Sequence, residues 1–375
     1  MKRIGVAERV ARASVSLIVG LSFAACSSSR GIENSGGGGQ SGYNPGAGGV
    51  SGNGGASDSG TSPTTPTADA NCGVQSSNTT KLPTDVLLIL DRSGSMSESI
   101  ASDCCCTSTC RNITGIQSCS DTSNCTQRWP AVTSAVQSTM SATTSINWGL
   151  KLFSSPSQSD ACGVIQGVEV QVGSGSANAI QTSITGVSPN GNTPTASAIS
   201  AATSYLKTVT DPNTKVILLA TDGEPNCKAG SRSSTSDVDG TVTAIGAALT
   251  AGYKVYVIGI GPSVGNLDNF AQAGGTDHYY PATSAQDLAD ALAAISKAVS
   301  SCTFEMAQTP PDVNNVAVYL DGALVTKDST NGWSFGANPE TVLLNGTTCE
   351  KITSGAATKV QVLFGCPGQQ PPLIL

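Results

Sequence analysis

Charge, aromatic rings and histidine are all scarce in this sequence. Charged residues make up 12% of it, aromatics 4%, and His278 is its one histidine. With 19 Lys and Arg against 26 Asp and Glu, the net charge is −7. No basic surface is available to displace phosphate counterions, which excludes nucleic acid as a partner. A lone histidine with no second base near it in the pattern argues against Ser-His-Asp and Cys-His catalysis, so His278 reads as structural. Paired Cys-x-x-Cys motifs are also missing, so the 13 cysteines do not read as a zinc framework. They read instead as disulfides formed in an oxidising compartment. Low charge together with 42 glycines implies that part of the chain never packs into a core.

The N-terminus agrees with export. Met1-Lys2-Arg3 opens a basic region that Arg9 and Arg12 extend, and residues 13–23 form an apolar stretch. That stretch is too short to cross a bilayer but suits a signal-peptide core. Its end, Leu21-Ser22-Phe23-Ala24-Ala25-Cys26, resembles the lipobox of bacterial lipoproteins, with Phe23 where an aliphatic residue is usual. The resemblance implies that residues 1–26 are a lipoprotein signal, that Cys26 is lipidated and that the chain is held to a membrane by that lipid. Ser27 is then compatible with outer-membrane sorting; an ordinary signal cut beyond Cys26 is the alternative. Setting Cys26 aside leaves an even set that can all pair: Cys72, Cys104, Cys105, Cys106, Cys110, Cys119, Cys125, Cys162, Cys227, Cys302, Cys349 and Cys366.

Residues 27–82 are dominated by Gly, Ser, Asn, Thr and Pro, and residues 36–39 are all Gly. Such a segment buries too little apolar area to offset its ordering entropy, so it reads as a flexible tether. The pattern then changes. Residues 85–90 (DVLLIL), 215–220 (KVILLA) and 254–260 (KVYVIGI) are continuous apolar runs, as expected of parallel strands buried on both faces. Residues 146–153 and 164–172 read as two further strands, the second as an antiparallel edge. Helical patterns cover residues 129–140, 195–209, 242–251 and 285–299. This alternation predicts an α/β domain over residues 83–301: a Rossmann-like, open, mostly parallel sheet with helices on both faces. Residues 302–375 read as a small C-terminal β module, with short runs at 317–320, 341–344 and 359–364. Turn dipeptides Asp321-Gly322, Asn331-Gly332 and Asn345-Gly346 punctuate it.

In open α/β sheets, ligands bind beyond the carboxyl ends of the strands. Asp91-Arg92-Ser93-Gly94-Ser95 follows the first apolar run at once, and spacing of two puts the oxygens of Asp91, Ser93 and Ser95 on one concave turn. KVILLA ends in Thr221-Asp222-Gly223, which brings another carboxylate to the same edge, and Thr193-Pro194-Thr195 opens a helix between them. Hard oxygen donors without His or Cys select Mg2+ or Mn2+ over zinc.

These residues match the metal-ion-dependent adhesion site of von Willebrand A and integrin I domains. That pattern is Asp-x-Ser-x-Ser, a distant Thr, and an Asp after the fourth main strand. The resemblance implies that Asp91, Ser93, Ser95, Thr193 and Asp222 are the ligands. It also implies that a protein partner completes the metal with an acidic residue. Residues 103–126 form an insertion where most members of the family pass almost directly from loop to helix. It is expected to be a disulfide-knotted loop or a specificity cap beside the metal. Cys162 and Cys227 could staple the same rim, and Glu224 either lines it or faces solvent.

The expected role is therefore binding by an exported, envelope-anchored protein. A structural subunit whose metal serves stability is the alternative. A metal-dependent hydrolase ranks last, because the rim offers few carboxylates and position 93 is Ser rather than a second acid.

Overall fold

A computed structural model of the protein describes residues 75–107, 117–156, 160–229, 234–265, 267–336 and 338–365. The signal segment, Cys26, Cys72, Cys110, Cys366 and residues 27–74 of the expected tether lie outside the described residues.

Two short strands come first, β1 (Gln75–Ser77) and β2 (Thr79–Lys81), and both fall inside the stretch expected to be tether. The α/β part follows as β3 (Thr84–Asp91), α1 (Arg128–Ala142), β4 (Ile146–Phe153), β5 (Val170–Gly173), α2 (Ala177–Thr185) and α3 (Thr195–Leu206). It continues through β6 (Thr214–Thr221), α4 (Val238–Thr250), β7 (Lys254–Ile260), α5 (Leu267–Ala273), β8 (Tyr280–Ala282) and α6 (Ala285–Ala298). The six strands form one sheet in the order β5-β4-β3-β6-β7-β8, with β5 antiparallel and the rest parallel.

The apolar run of β3 is buried along its whole length because both faces of the sheet are covered. Val86, Leu88 and Leu90 pack with Val132 and Val136 of α1, Ile180 and Ile184 of α2, and Leu292 and Ile295 of α6. The alternate residues Leu87 and Ile89 pack with Ile199 and Leu206 of α3, Ile245 of α4 and Phe270 of α5. Each fully buried aliphatic side chain of this kind stabilises by roughly 1.5–3 kcal/mol.

The edge strand is shorter than residues 164–172 led us to expect: only Val170–Gly173 is a strand. The carbonyls of Ile165 and Gly167 accept hydrogen bonds from the Lys151 ammonium at 2.8 and 2.7 Å. Gly149 of β4 lets β5 cross closely, since a Cβ there would stand 2.6 Å from the Val172 side chain.

After α6 come β9 (Thr303–Met306), β10 (Val316–Leu320), β11 (Ala323–Val325), β12 (Trp333–Phe335), β13 (Thr341–Leu344), α7 (Gly346–Thr353) and β14 (Val360–Phe364). They form two four-stranded sheets, β1-β14-β10-β11 and β12-β13-β9-β2, which share a core of Phe304, Val318, Trp333, Val342, Val362 and Phe364. The β module is thus a sandwich, and it is not confined to the C-terminal residues. It takes β1 and β2 from the other side of the α/β domain, and the tether expected to reach residue 82 gives way to strand at Gln75.

Candidate metal site

Strands β3 and β6 are parallel neighbours in register, Leu90 beside Ala220, so their carboxyl ends release Asp91 and Asp222 at one edge of the sheet. After Asp91 the chain tightens into a 3-10 turn, Gly94–Ser97. The loop before α3 lies against it, with the Gly94 amide donating to the Gly191 carbonyl at 3.1 Å and Asn190 N–H to the Arg92 carbonyl at 2.7 Å.

Four of the five expected residues come together. The Ser93 and Ser95 hydroxyl oxygens are 3.0 Å apart, and both donate to Asp222 Oδ1, at 3.4 and 2.9 Å. Asp91 is fully buried, accepting from the Ser93 amide at 2.8 Å and from the Thr221 hydroxyl at 2.6 Å. Thr193 arrives on its loop, its N–H bonded to Asn226 Oδ1 at 2.8 Å. Among the described residues its hydroxyl makes no hydrogen bond to the other four.

Burial, then the charge of Asp222, pushes Asp91 up to about 7. Burial also raises Asp222, against the lowering effect of Arg128. Two buried carboxylates that penalise each other's charge, beside two hydroxyls, are a donor set short of positive charge. The two serine hydroxyl oxygens and Asp222 Oδ1 lie within 3.4 Å of one another, a cluster of hard oxygen donors without nitrogen or sulfur. The residues present fit a hard divalent cation.

Three side chains at the site were not anticipated. Thr221 orients Asp91, and Asn226 holds the Thr193 loop from both sides, its N–H donating to the Thr193 carbonyl at 3.2 Å. Arg128, the first residue of α1, lies 2.8 Å from Asp222 Oδ2 and 3.4 Å from Glu98, and it pairs with Asp103. A basic residue in a helix's first turn opposes the macrodipole. That conflict was the available signal.

The insertion is looped out between two strips of chain that pair at its base. Ile100 N–H donates to the Thr126 carbonyl and Arg128 N–H to the Glu98 carbonyl, each at 2.9 Å. Disulfides Cys104–Cys119 and Cys106–Cys125 knot it, and Cys105 is disulfide-bonded as well. The sulfurs of Cys104, Cys119 and Cys125 lie within 4.8 Å of one another. Tied in disulfides, they are not the thiolates a metal requires. Cys162–Cys227 joins the two loops that flank Thr193, and Cys302–Cys349 lies in the sandwich. Glu224 faces solvent, bonded by Ser236. His278 has a 79% exposed side chain and precedes β8, the outermost strand of the sheet, beyond β7 from the strands that carry Asp91 and Asp222; it is a surface residue rather than a structural one.

Residues 119–294 match the von Willebrand factor type A domain family. The chain contains a von Willebrand factor type A domain. The match begins after the Asp91 loop and includes Thr193 and Asp222. No curated protein matches the sequence. Among solved structures, the chain is similar to the pilus adhesin SpaC of Lactobacillus rhamnosus GG. The identity is 17% and the TM-score 0.44, over 76% of this chain and 39% of that one. Manganese-loaded TRAP protein of Plasmodium vivax is similar at 16% identity and a TM-score of 0.42, over 69% and 92% of the two chains. Mussel byssus proximal thread matrix protein 1, with a zinc-occupied MIDAS motif, is similar at 13% and 0.39, over 60% and 49%. The chain thus spans well under half the length of SpaC.

Proposed function

We propose that this protein binds a protein partner through a divalent cation, Mg2+ or Mn2+, held by Asp91, Ser93, Ser95, Thr193 and Asp222 of its von Willebrand factor type A domain. The observation that carries the reading is the cluster of Ser93, Ser95 and Asp222 oxygens at the carboxyl ends of β3 and β6. When bound, the cation supplies a Lewis-acidic position that an acidic residue of the partner can complete. The protein's own part is to hold the oxygens. Asp91, bonded at both of its oxygens, orients the loop, while the serine hydroxyls and Asp222 Oδ1 face one another. Uncharged hydroxyl donors leave the cation's charge incompletely neutralised, which favours an anionic partner over water. We read the role as binding rather than catalysis. Its histidine, His278, is exposed beside β8, two strands away from β6, and Glu98 at the rim is committed to Arg128.

Export and anchoring through Cys26 belong to the same proposal: a lipid at the N-terminus and a Gly- and Ser-rich tether would present this domain from a membrane of the cell envelope. The test uses the full chain. Mn2+ titration followed by electron paramagnetic resonance should show binding that Asp91→Ala abolishes. Capture of a partner from envelope extract should need Mg2+ and fail with chelator and with Asp91→Ala. Capture indifferent to both, in a chain that does bind Mn2+, would instead support a structural subunit with a structural metal.

A further inference from the structure

Arg128 is an unusual neighbour for a cation site. Its side chain is 3% exposed, and it is ringed by the carboxylates of Asp222, Glu98 and Asp103 and by the Ser95 carbonyl, to which Nη1 donates at 3.2 Å. The fold makes room for it. A Cβ on Gly261, just past β7, would stand 2.7 Å from the guanidinium. Asp222 divides its oxygens, with Oδ2 taken by Arg128 at 2.8 Å and Oδ1 turned to the serine hydroxyls. Asp103 belongs to the Cys-rich insertion and meets Arg128 from a left-handed backbone conformation, φ 48°, which Asp tolerates better than most residues.

We propose that Arg128 is a resident counter-cation of the metal loop, through which the Cys-rich insertion sets how tightly the divalent cation is held. The inference rests on the metal reading above and deepens it. A guanidinium on one oxygen of Asp222 and a divalent cation on the side of the other repel each other across a buried carboxylate, where screening by salt is weak. Whatever draws Arg128 away from Asp222 therefore strengthens the metal site, and whatever drives it onto Asp222 weakens that site. Asp103 and Glu98 share the guanidinium with Asp222, and Asp103 is the one of the two that the insertion supplies. A partner that engages the insertion and displaces Asp103 from Arg128 would lower metal affinity. By linkage, the bound metal would favour the insertion as it stands here. An Arg128 that keeps part of Asp222's charge also leaves the metal more electrophilic, and so more receptive to a partner's carboxylate.

The test is Mn2+ titration of the full-length chain by electron paramagnetic resonance, comparing wild type, Arg128→Met and Asp103→Asn. Arg128→Met should tighten Mn2+ by on the order of tenfold, while its metal-free form melts lower because three carboxylates lose their partner. Asp103→Asn, altered at a residue that touches none of the five ligands, should weaken Mn2+ severalfold. A merely structural role for Arg128 would loosen the metal in both variants, so opposite signs are diagnostic. Arg128→Met that folds and binds Mn2+ no better than wild type overturns the proposal. If that variant does not fold, Arg128→Gln takes its place under the same two outcomes, and Asp103→Asn with affinity equal to or above wild type overturns the proposal whichever variant is used. Wild type that takes up no Mn2+ overturns the metal reading and this inference together. Wild type that binds while both variants match it overturns this inference only.

Discussion

Lys151 has no exposed surface, yet it sits in β4 between Leu150 and Leu152, both fully buried. Its ammonium is held by the carbonyls of Ile165 and Gly167. Burial lowers its pKa from the usual 10.5, and the Glu169 carboxylate opposes that shift. The folded-state value is the lower one, so between it and 10.5 the unfolded chain holds more protons than the folded chain. Stability attributable to this group must therefore rise as pH climbs through that window, and it is at its least favourable below it. Lys151→Met is expected to cost about 1–3 kcal/mol at neutral pH, because two buried carbonyls lose their donor. The gap to wild type should then widen as the pH approaches about 10. Urea denaturation of both proteins at the two pH values checks this, and a gap of constant size would contradict it. The proposed metal ligands show the same principle with the opposite sign of charge. Asp91 is raised because burial and Asp222 both disfavour its ionised form, and Thr221 and the Ser93 amide only partly compensate.

At the scale of elements, the loop that carries Thr193 is framed on both sides. Asn192 N–H donates to the Ala161 carbonyl at 2.8 Å on one side, and Asn226 holds Thr193 on the other. Cys162–Cys227 joins those two flanks across 65 residues of chain. Closing a loop of that length is worth about 4 kcal/mol in the chain-entropy account. The double variant Cys162→Ser with Cys227→Ser should lose up to that stability and also bind Mn2+ more weakly, since the flanks of Thr193 are no longer fixed to each other. Thermal melting and metal titration on one preparation would check both. Unchanged metal affinity in a destabilised variant would show that Asn226 and Ala161 frame the loop unaided. What could be read beforehand followed the same division. β3, β6 and β7 were legible because strands buried on both faces are apolar throughout, and they carried Asp91 and Asp222 with them. α2 and α5 escaped notice, being short helices with few large apolar residues. Thr221, Asn226 and Arg128 escaped because their importance lies in partners 33 to 130 residues away in sequence, which no local pattern records.

At the scale of the whole molecule, the least legible feature is the placing of the α/β domain. β1 and β2 are three residues each, in a polar context, and they find their partners only at the far end of the chain: Gln75 opposite Phe364, and Lys81 opposite Phe304. Because β2 and β9 are antiparallel neighbours, the chain leaves the sandwich and returns to it at adjacent points. Leu82 N–H donates to the Thr303 carbonyl at 2.9 Å, and the Thr84 hydroxyl to the Val299 carbonyl at 2.5 Å. The von Willebrand factor type A domain is therefore inserted into the sandwich between β2 and β9, each with its own core. Two strands that close in space and opposed in direction can be joined directly by a hairpin turn of about two residues. Deleting the segment from Pro83 to Cys302 and linking Leu82 to Thr303 through Asn-Gly should accordingly give a folded sandwich that melts cooperatively. Cys349→Ser belongs in that variant, because its partner Cys302 is removed. A fragment beginning at Thr303, without β1 and β2, should not fold, because β14 and β9 would each lose a ladder and expose an edge. Circular dichroism and amide proton dispersion distinguish the two outcomes. A fragment without β1 and β2 that folds as well as the linked variant would show those strands to be dispensable trim rather than part of the sandwich.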